Sequence, residues 1–253
     1  MSNFITKFII ALIVVAALSV LSVDCGKHHR VVDTIYVCDH TTSSRCDEES
    51  VRKAAHPFIM HPEPGSRFEV TLIGCGSDDA ETIYVITVPE HWGPGAAQKK
   101  RAWIEAEERH LSNLRLKRPQ RCSGIIGGIA RASHRLHEGD QGEKKLLIDS
   151  DLREVSTETG FNFERSIPSP SVFVETVKER GLLPDLRGIE VVVCDVHSES
   201  TPDARHWSAK QTIGLQADWS AYFRAAGVDH VQFLERCPWE RTESAEITLG
   251  SAQ

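Results

Sequence analysis

Three clusters of small oxygen-bearing side chains are the part of this sequence best suited to bind a ligand. The first contains Asp39, Thr41 and Ser43, the second is Ser123, and the third is Ser150 with Asp151. The candidate ligands among them are Asp39, Thr41, Ser43, Ser123 and Asp151. Carboxylate and hydroxyl oxygens are hard ligands of the kind that Mg²⁺ prefers, in an octahedral shell completed by water. Side chains alternate along an extended loop, so residues 39, 41 and 43 can present three oxygens to one point.

The segments around these clusters alternate between strand and helix patterns. Residues 31–38, 145–148 and 189–196 are short apolar runs typical of buried strands. Residues 123–137 carry Ile125, Ile129, Ala132 and Leu136 at the spacing of a core-facing helical stripe. Such alternation predicts βαβ units and a mainly parallel sheet.

The remaining elements complete a doubly wound arrangement. Two strands at 68–73 and 82–88, joined by the turn-like residues 74–79, are predicted to form a hairpin. Further helices are predicted at 48–59, 96–116, 170–181 and 207–226, and a last strand at 231–234. The prediction is a three-layer α/β fold with about six strands, one of them an antiparallel edge strand of the hairpin.

This fold would bring the three clusters together. Carboxyl ends of parallel strands and the starts of the following helices share one edge of a sheet. The first cluster directly follows the 31–38 strand, Asp151 directly follows the 145–148 strand, and Ser123 begins a helix. If the two strands are neighbours at the point where strand order reverses, all three clusters meet there.

The set resembles the metal-ion-dependent adhesion site of the von Willebrand factor A (vWA) family. That family carries Asp-x-Ser-x-Ser after its first strand, a Thr at a central helix, and an Asp, usually in Thr-Asp-Gly, after its fourth strand. The matching positions here are Asp39, Thr41 and Ser43, then Ser123, then Asp151. The resemblance spans roughly residues 31–236 and implies a vWA-like domain at 30–240.

The resemblance also implies how such a site would act. Thr41 and Ser43 would bind Mg²⁺ (or Mn²⁺ or Ca²⁺) directly, and Asp39 and Asp151 partly through water. The sixth position would be left for an acidic side chain of a partner protein. Because the site itself carries little charge, the ion stays attractive to an incoming carboxylate. The chain is therefore expected to be an interaction module and not an enzyme.

Several departures from the family pattern leave alternatives open. Thr41 replaces Ser and Ser123 replaces Thr, and each keeps a hydroxyl. Leu152 stands where Gly is usual, which leaves the geometry of the loop at Asp151 open. Asp149, two residues before Asp151, is an alternative ligand. A domain that kept the fold and lost the ion is a further alternative.

Other interpretations do not involve an adhesion site. An Asp after the first strand also resembles haloacid-dehalogenase-like phosphatases, where it is the nucleophile. Their pattern is Asp-x-Asp-x-Thr, and Thr41 occupies the place of the acid/base carboxylate. Residues 39–43 alone are typical of an Asx turn, and Ser123 alone is typical of a helix N-cap.

The N-terminal region predicts export or membrane anchoring. Residues 8–23 form an uncharged apolar run preceded by Lys7. This run is shorter than the ~20 residues that span a bilayer and suits the core of a signal peptide. We therefore expect a signal peptide or anchor at 1–25, an extracytoplasmic domain, and a polar tail at 241–253. Lipidation at Cys25 is an open alternative, although Asp24 departs from the lipobox pattern.

The net charge and the cysteine content bear on the partner and on the disulfides of the protein. A net charge of −7 argues against a nucleic-acid partner, which would require an excess of Lys and Arg on one face. Export would permit disulfides among the six cysteines beyond Cys25. Their spacing assigns no pairing. Cys38, Cys75 and Cys194 lie in strand-like runs, which predicts small buried side chains.

Overall fold

The computed structural model of the protein describes residues 31–41, 44, 46–139, 142–196 and 209–240. Ser43, the predicted signal or anchor at 1–25, which includes Cys25, and the predicted tail at 241–253 lie outside the described residues. Among the described helices, none combines the length and apolar character needed to cross a bilayer.

The described residues alternate between strands and helices, as predicted. In chain order the elements are β1 (Val32–Cys38), α1 (Glu48–Met60), β2 (Arg67–Leu72), β3 (Glu81–Thr87), α2 (Ala96–Ser112), α3 (Ile125–Glu138), β4 (Glu143–Asp149), α4 (Pro170–Glu179), β5 (Ile189–Cys194), α5 (Ala209–Ala225) and β6 (Val231–Phe233). Most bounds fall within two residues of the prediction. Helix α2 ends four residues early, at Ser112.

The strands of the described chain form one sheet in the order β3-β2-β1-β4-β5-β6. Strand β1 runs parallel to both β2 and β4, and the parallel pairing continues through β5 to β6. Strand β3 is antiparallel to β2 at one edge. This topology confirms the predicted doubly wound, vWA-like α/β fold with its edge hairpin. Strand order reverses between β1 and β4, the two strands that precede the predicted site.

Helices α3, α4 and α5 contribute to the core on one face of the sheet. The predicted stripe of α3 is fully buried and consists of Ile125, Ile129, Ala132 and Leu136. Trp219 and Phe223 of α5 are also fully buried, and Phe173 of α4 packs edge-on against Trp219. Pro170 begins α4 as predicted, although Ser169 makes no side-chain capping bond. The apolar periodicity of the sequence therefore predicts which faces of these helices pack against the sheet.

Helices α1 and α2 lie against the other face. The side chain of Asp47 caps α1 by accepting a hydrogen bond from Ser50 N at 2.9 Å. Val51 and Ile59 of α1 are fully buried in a cluster with Tyr36 of β1 and Phe68 of β2. Helix α2 is more exposed and buries little beyond Leu111.

The six cysteines of the described chain form three disulfides: Cys38–Cys46, Cys75–Cys122 and Cys194–Cys237. Their Cα–Cα separations are 5.6, 5.0 and 4.9 Å, within the usual range. Cys38 and Cys194 are buried as predicted and Cys75 is partly exposed, and all three are disulfide-bonded and not free thiols. Each bonds a cysteine in a loop, and two of the bonds join residues 47 and 43 positions apart. Sequence spacing does not reveal such distant pairs.

Candidate metal centre

Asp39 lies at the centre of the candidate site, one residue beyond the end of β1. Its backbone N–H donates to Asp149 O at 2.9 Å, which extends the pairing of β1 with β4. Its fully buried side chain accepts hydrogen bonds at Oδ2 from Ser123 Oγ at 3.0 Å and Ser150 Oγ at 2.7 Å. The Thr41 hydroxyl also hydrogen-bonds Asp39. The three separated clusters therefore meet around one carboxylate.

One local interpretation of these residues does not hold. The side chain of Asp39 reaches Ser123 and Ser150, far along the chain, as well as Thr41, and an Asx turn over residues 39–43 stays a prediction. The N-cap of α3 is Gly124, and the Ser123 hydroxyl is directed to Asp39. The expected N-cap role of Ser123 is wrong because its backbone pairs instead with Val155 in an isolated bridge.

The first cluster is only partly described. Thr41 is 6% exposed and forms an isolated parallel bridge with Gln120. His40 secures this loop, since its Nδ1 lies 2.6 Å from Cys46 O and its Nε2 lies 2.8 Å from Lys117 O. Ser43 lies outside the described residues, so its role as a ligand stays a prediction.

Asp151 brings a second acidic group to Asp39. Asp151 is buried, with an exposed fraction of 4%. Burial and, next, the nearby charge of Asp151 together raise the pKa of Asp39 to about 7, against the hydroxyl hydrogen bonds, which lower it. Two buried carboxyl groups this close disfavour full ionisation unless a cation compensates them.

The residues present fit a hard divalent cation. Within the described part of the chain, Asp39 Oδ1 is buried and has no hydrogen-bond partner. Carboxylate and hydroxyl oxygens from Asp39, Thr41, Ser123 and Asp151 are the ligand types such an ion takes. An ion held there would satisfy the open oxygen and offset the repulsion between the two acids.

Leu152 keeps a glycine-like conformation in the loop that carries Asp151. Its φ is 62°, in the left-handed region that side chains rarely adopt. The side chain is fully buried, its N–H donates to Ser150 Oγ at 3.0 Å, and its carbonyl accepts from Trp219 Nε1 at 2.9 Å. Leu152 therefore has a left-handed backbone while its side chain packs in the core.

Asp149 does not belong to the cluster around Asp39. Its Oδ2 accepts a hydrogen bond from the Tyr36 hydroxyl, on the face of the sheet that packs against α1. Its carboxylate and the sulfurs of Cys194 and Cys237 lie within 4.8 Å of one another. Those two cysteines are joined in a disulfide and cannot act as thiolate ligands. The structure thus places this alternative ligand elsewhere.

Close packing positions the Ser123 loop. A Cβ added at Gly124 would come within 2.9 Å of the Cys75 carbonyl carbon, and one at Gly127 within 2.5 Å of Ser77 N. Gly124 N–H donates to Gly74 O at 2.7 Å. The Cys75–Cys122 disulfide joins the same two loops one residue before Ser123. The first turn of α3 therefore lies directly against the loop after β2.

Two residues near the site, Arg153 and Glu154, were given no role by the sequence, and Ser150 was predicted only as a member of the cluster that contains Asp151. Ser150 donates to Asp39, and Arg153 approaches Asp151. Glu154 is fully buried and accepts from Ile126 N at 3.1 Å, so it satisfies a free N–H at the start of α3. Burial raises the pKa of Glu154 to about 8. Residues 152–167 have no apolar period, so no sequence signal indicated that Glu154 is buried.

The described residues form a vWA-like α/β domain in which hydroxyl and carboxylate side chains meet at the carboxyl edge of the sheet. No protein-family model matches the chain. No curated protein matches it either.

Solved structures offer a likeness of fold. One is an aerotolerance-related membrane protein from Bacteroides fragilis, at 11% identity and a TM-score of 0.42, covering 86% of this chain and 97% of that one. A second is BatB from Bacteroides thetaiotaomicron, at 12% identity and a TM-score of 0.40, covering 88% of this chain and 100% of that one. A third is a von Willebrand factor type A protein from Catenulispora acidiphila, at 11% and 0.38, covering 78% of this chain and 42% of that one. Similarity at this level assigns no role to any residue.

Proposed function

We propose that this chain is a membrane-associated, extracytoplasmic vWA-like domain that binds a protein partner through a divalent metal ion. The observation that carries the proposal is the convergence of Ser123 and Ser150 on the buried carboxylate of Asp39, with Asp151 beside it. These residues come from three separate loops at the end of the sheet where strand order reverses. The ion would be Mg²⁺, or Mn²⁺ or Ca²⁺.

The chemistry of the cluster favours an acidic partner. Hydroxyl groups supply part of the ligand set, so the protein does not fully neutralise a divalent ion. An ion with an open coordination position then attracts a carboxylate from another protein. The partner is accordingly a protein with an exposed Asp or Glu side chain, and no nucleic acid is expected.

The disulfides support an extracytoplasmic location. Disulfides persist in oxidising compartments and are rare in the reducing cytosol. The six cysteines of the described chain are all in such bonds. The uncharged apolar run at residues 8–23 is consistent with export or with an N-terminal anchor.

Metal binding is tested by thermal unfolding in Mg²⁺, in Mn²⁺ and in EDTA. We expect the melting temperature of the wild type to rise with either ion, because a ligand that binds only the folded state stabilises it. Asp39→Asn removes a ligand charge and should abolish the rise. Asp149→Asn is the matched control, since this buried aspartate faces Tyr36, and its variant should keep the rise.

Identical melting curves of the wild type in Mg²⁺, Mn²⁺ and EDTA would contradict the metal-dependent function. They would favour the alternative of a vWA-like domain that lost its ion. If the melting temperature of Asp149→Asn no longer rises with the ion while that of Asp39→Asn still does, the ion binds at Asp149 and not at Asp39.

Partner binding is tested by affinity capture from a membrane fraction. A protein retained by the wild type in Mg²⁺, released by EDTA and not retained by Asp39→Asn would support the proposal. Retention that is equal in Mg²⁺ and EDTA would contradict a metal-bridged contact.

The phosphohydrolase alternative predicts a different result for the same variants. It requires that the wild type turn over an aryl phosphate and that Asp39→Asn abolish turnover. Absence of turnover with Mg²⁺ present would contradict the phosphohydrolase alternative.

A further inference from the structure

Arg153 brings a positive charge to the acidic end of the candidate site. Its Nε lies 3.5 Å from Asp151 Oδ2, and the two side chains are 13% and 4% exposed. Its backbone N–H also donates to Asp151 Oδ1 at 3.0 Å. Both carboxylate oxygens of Asp151 therefore lie near a donor group of the same residue.

The loop conformation holds Arg153 against Asp151. Leu152, between them, is fully buried and has a φ of 62°. Its carbonyl accepts from Trp219 Nε1 at 2.9 Å, which fixes the loop to α5. The N–H of Leu152 donates to Ser150 Oγ at 3.0 Å and the N–H of Arg153 donates to Asp151 Oδ1 at 3.0 Å, so hydrogen bonds hold the loop on both sides of the buried leucine. The approach of the guanidinium to Asp151 is thus a product of the fold and not of a mobile surface side chain.

We propose that Arg153 competes with the divalent ion for Asp151 and so sets the ion affinity of the site. This inference rests on the proposed function. In the ion-free protein, the guanidinium offsets the negative charge of Asp151. A divalent ion adds two further positive charges beside the same carboxylate and is repelled by the guanidinium. The ion must either displace the Arg153 side chain or bind beside it despite the repulsion. Both lower the affinity of the site for the ion.

The competition is tested by isothermal titration of Mg²⁺ and Mn²⁺ into the wild type and three variants. Arg153→Gln should bind both ions about tenfold more tightly, the size expected when one nearby like charge is removed in a water-like dielectric. Arg153→Lys keeps the charge and should stay within a few-fold of the wild type. Arg165→Gln, at an exposed position of the same loop, is the matched control and should leave affinity unchanged.

A stability measurement separates competition from a merely structural role. Without ions, Arg153→Gln should melt at a lower temperature than the wild type because Asp151 loses its compensating charge. At saturating Mg²⁺ that difference should vanish or reverse. A structural contact would lower the melting temperature equally in both conditions, and that result would overturn the proposal.

The outcomes for the two proposals are distinguishable. If the wild type and Arg153→Gln bind Mg²⁺ equally well, the competition is wrong and the metal-dependent function stands. If only Arg153→Gln responds to the ion, the competition stands, and Arg153 has replaced the ion in the wild type. If neither responds at millimolar Mg²⁺, both proposals fail.

Discussion

Leu152 has the backbone conformation of a glycine and a side chain that fills the core. Left-handed backbone costs a non-glycine residue about 1–2 kcal/mol. The buried contacts of the leucine side chain and the hydrogen bond from Trp219 Nε1 offset this cost. The loop at this position therefore has a left-handed backbone although its residue is a leucine.

Truncation of Leu152 tests this balance. Leu152→Ala should lower the free energy of unfolding by about 2–5 kcal/mol, as for other buried leucines. Leu152→Gly should be no less stable than Leu152→Ala, because glycine adopts the positive φ of 62° without strain. Urea denaturation measures both. An alanine variant more stable than the glycine variant by 1 kcal/mol or so would contradict the strain argument.

Glu154 makes stability depend on pH. Burial raises its pKa from 4.5 to about 8 in the folded protein. Between these values the folded state retains a proton that the unfolded state has lost, so stability falls as pH rises. Asp39 acts in the same direction, with a pKa raised from 3.8 to about 7.

The ion-free protein should therefore be more stable near pH 5 than near pH 8. Urea midpoints in EDTA across this range would measure the slope. Glu154→Gln removes the titrating group and should flatten the slope, whereas Glu164→Gln, at an exposed position of the same loop, should not. A wild-type midpoint that rises with pH would contradict the burial of an uncharged Glu154.

At the scale of elements, α3 lies so close to the loop after β2 that a side chain at position 127 would collide with that loop. The Cβ of Gly127→Ala would lie 2.5 Å from Ser77 N, a backbone atom that cannot move aside. The start of α3 must then shift, and Ser123 shifts with it. We expect a loss of about 1–3 kcal/mol in unfolding free energy and a weaker rise of melting temperature with Mg²⁺.

Gly214→Ala is the matched control for this helix substitution. Position 214 lies within α5, and a Cβ there would meet nothing within 4 Å. Alanine should stabilise this helix by about 0.5–1 kcal/mol and leave the metal response unchanged. A similar loss of stability in both variants would show that close packing at Gly127 is not the cause.

The elements themselves follow from the sequence, while several contacts of the site do not. Apolar periodicity predicts the strands and the α3 stripe, because burial imposes the pattern directly on the residues. Their placement at one edge also predicts that Asp39, Ser123 and Asp151 meet. The hydroxyl of Ser150, the charge of Arg153 and the burial of Glu154 depend on how one aperiodic loop folds back on α3. The disulfide partners depend likewise on loop paths.

For the whole molecule, disulfides should supply a large share of stability. In the chain-entropy view, a disulfide closing a loop of about 47 residues stabilises by about 4 kcal/mol. The double variant Cys75→Ser/Cys122→Ser should lose up to that amount and bind Mg²⁺ more weakly, since Cys122 precedes Ser123. Guanidinium denaturation and calorimetric titration measure the two effects. An unchanged ion affinity would show that close packing alone positions Ser123.

The three disulfides all lie at the end of the sheet that carries the site, where two join a strand end to a loop and one joins two loops. Cys38 ends β1, Cys194 ends β5, and Cys75 follows β2 by three residues. The opposite end of the described sheet has no such crosslink. Mechanical tension or a protease should therefore open the molecule from that opposite end first. The end of the sheet that carries the candidate site would be the last part to lose its shape, which would suit the extracytoplasmic binding function that we propose.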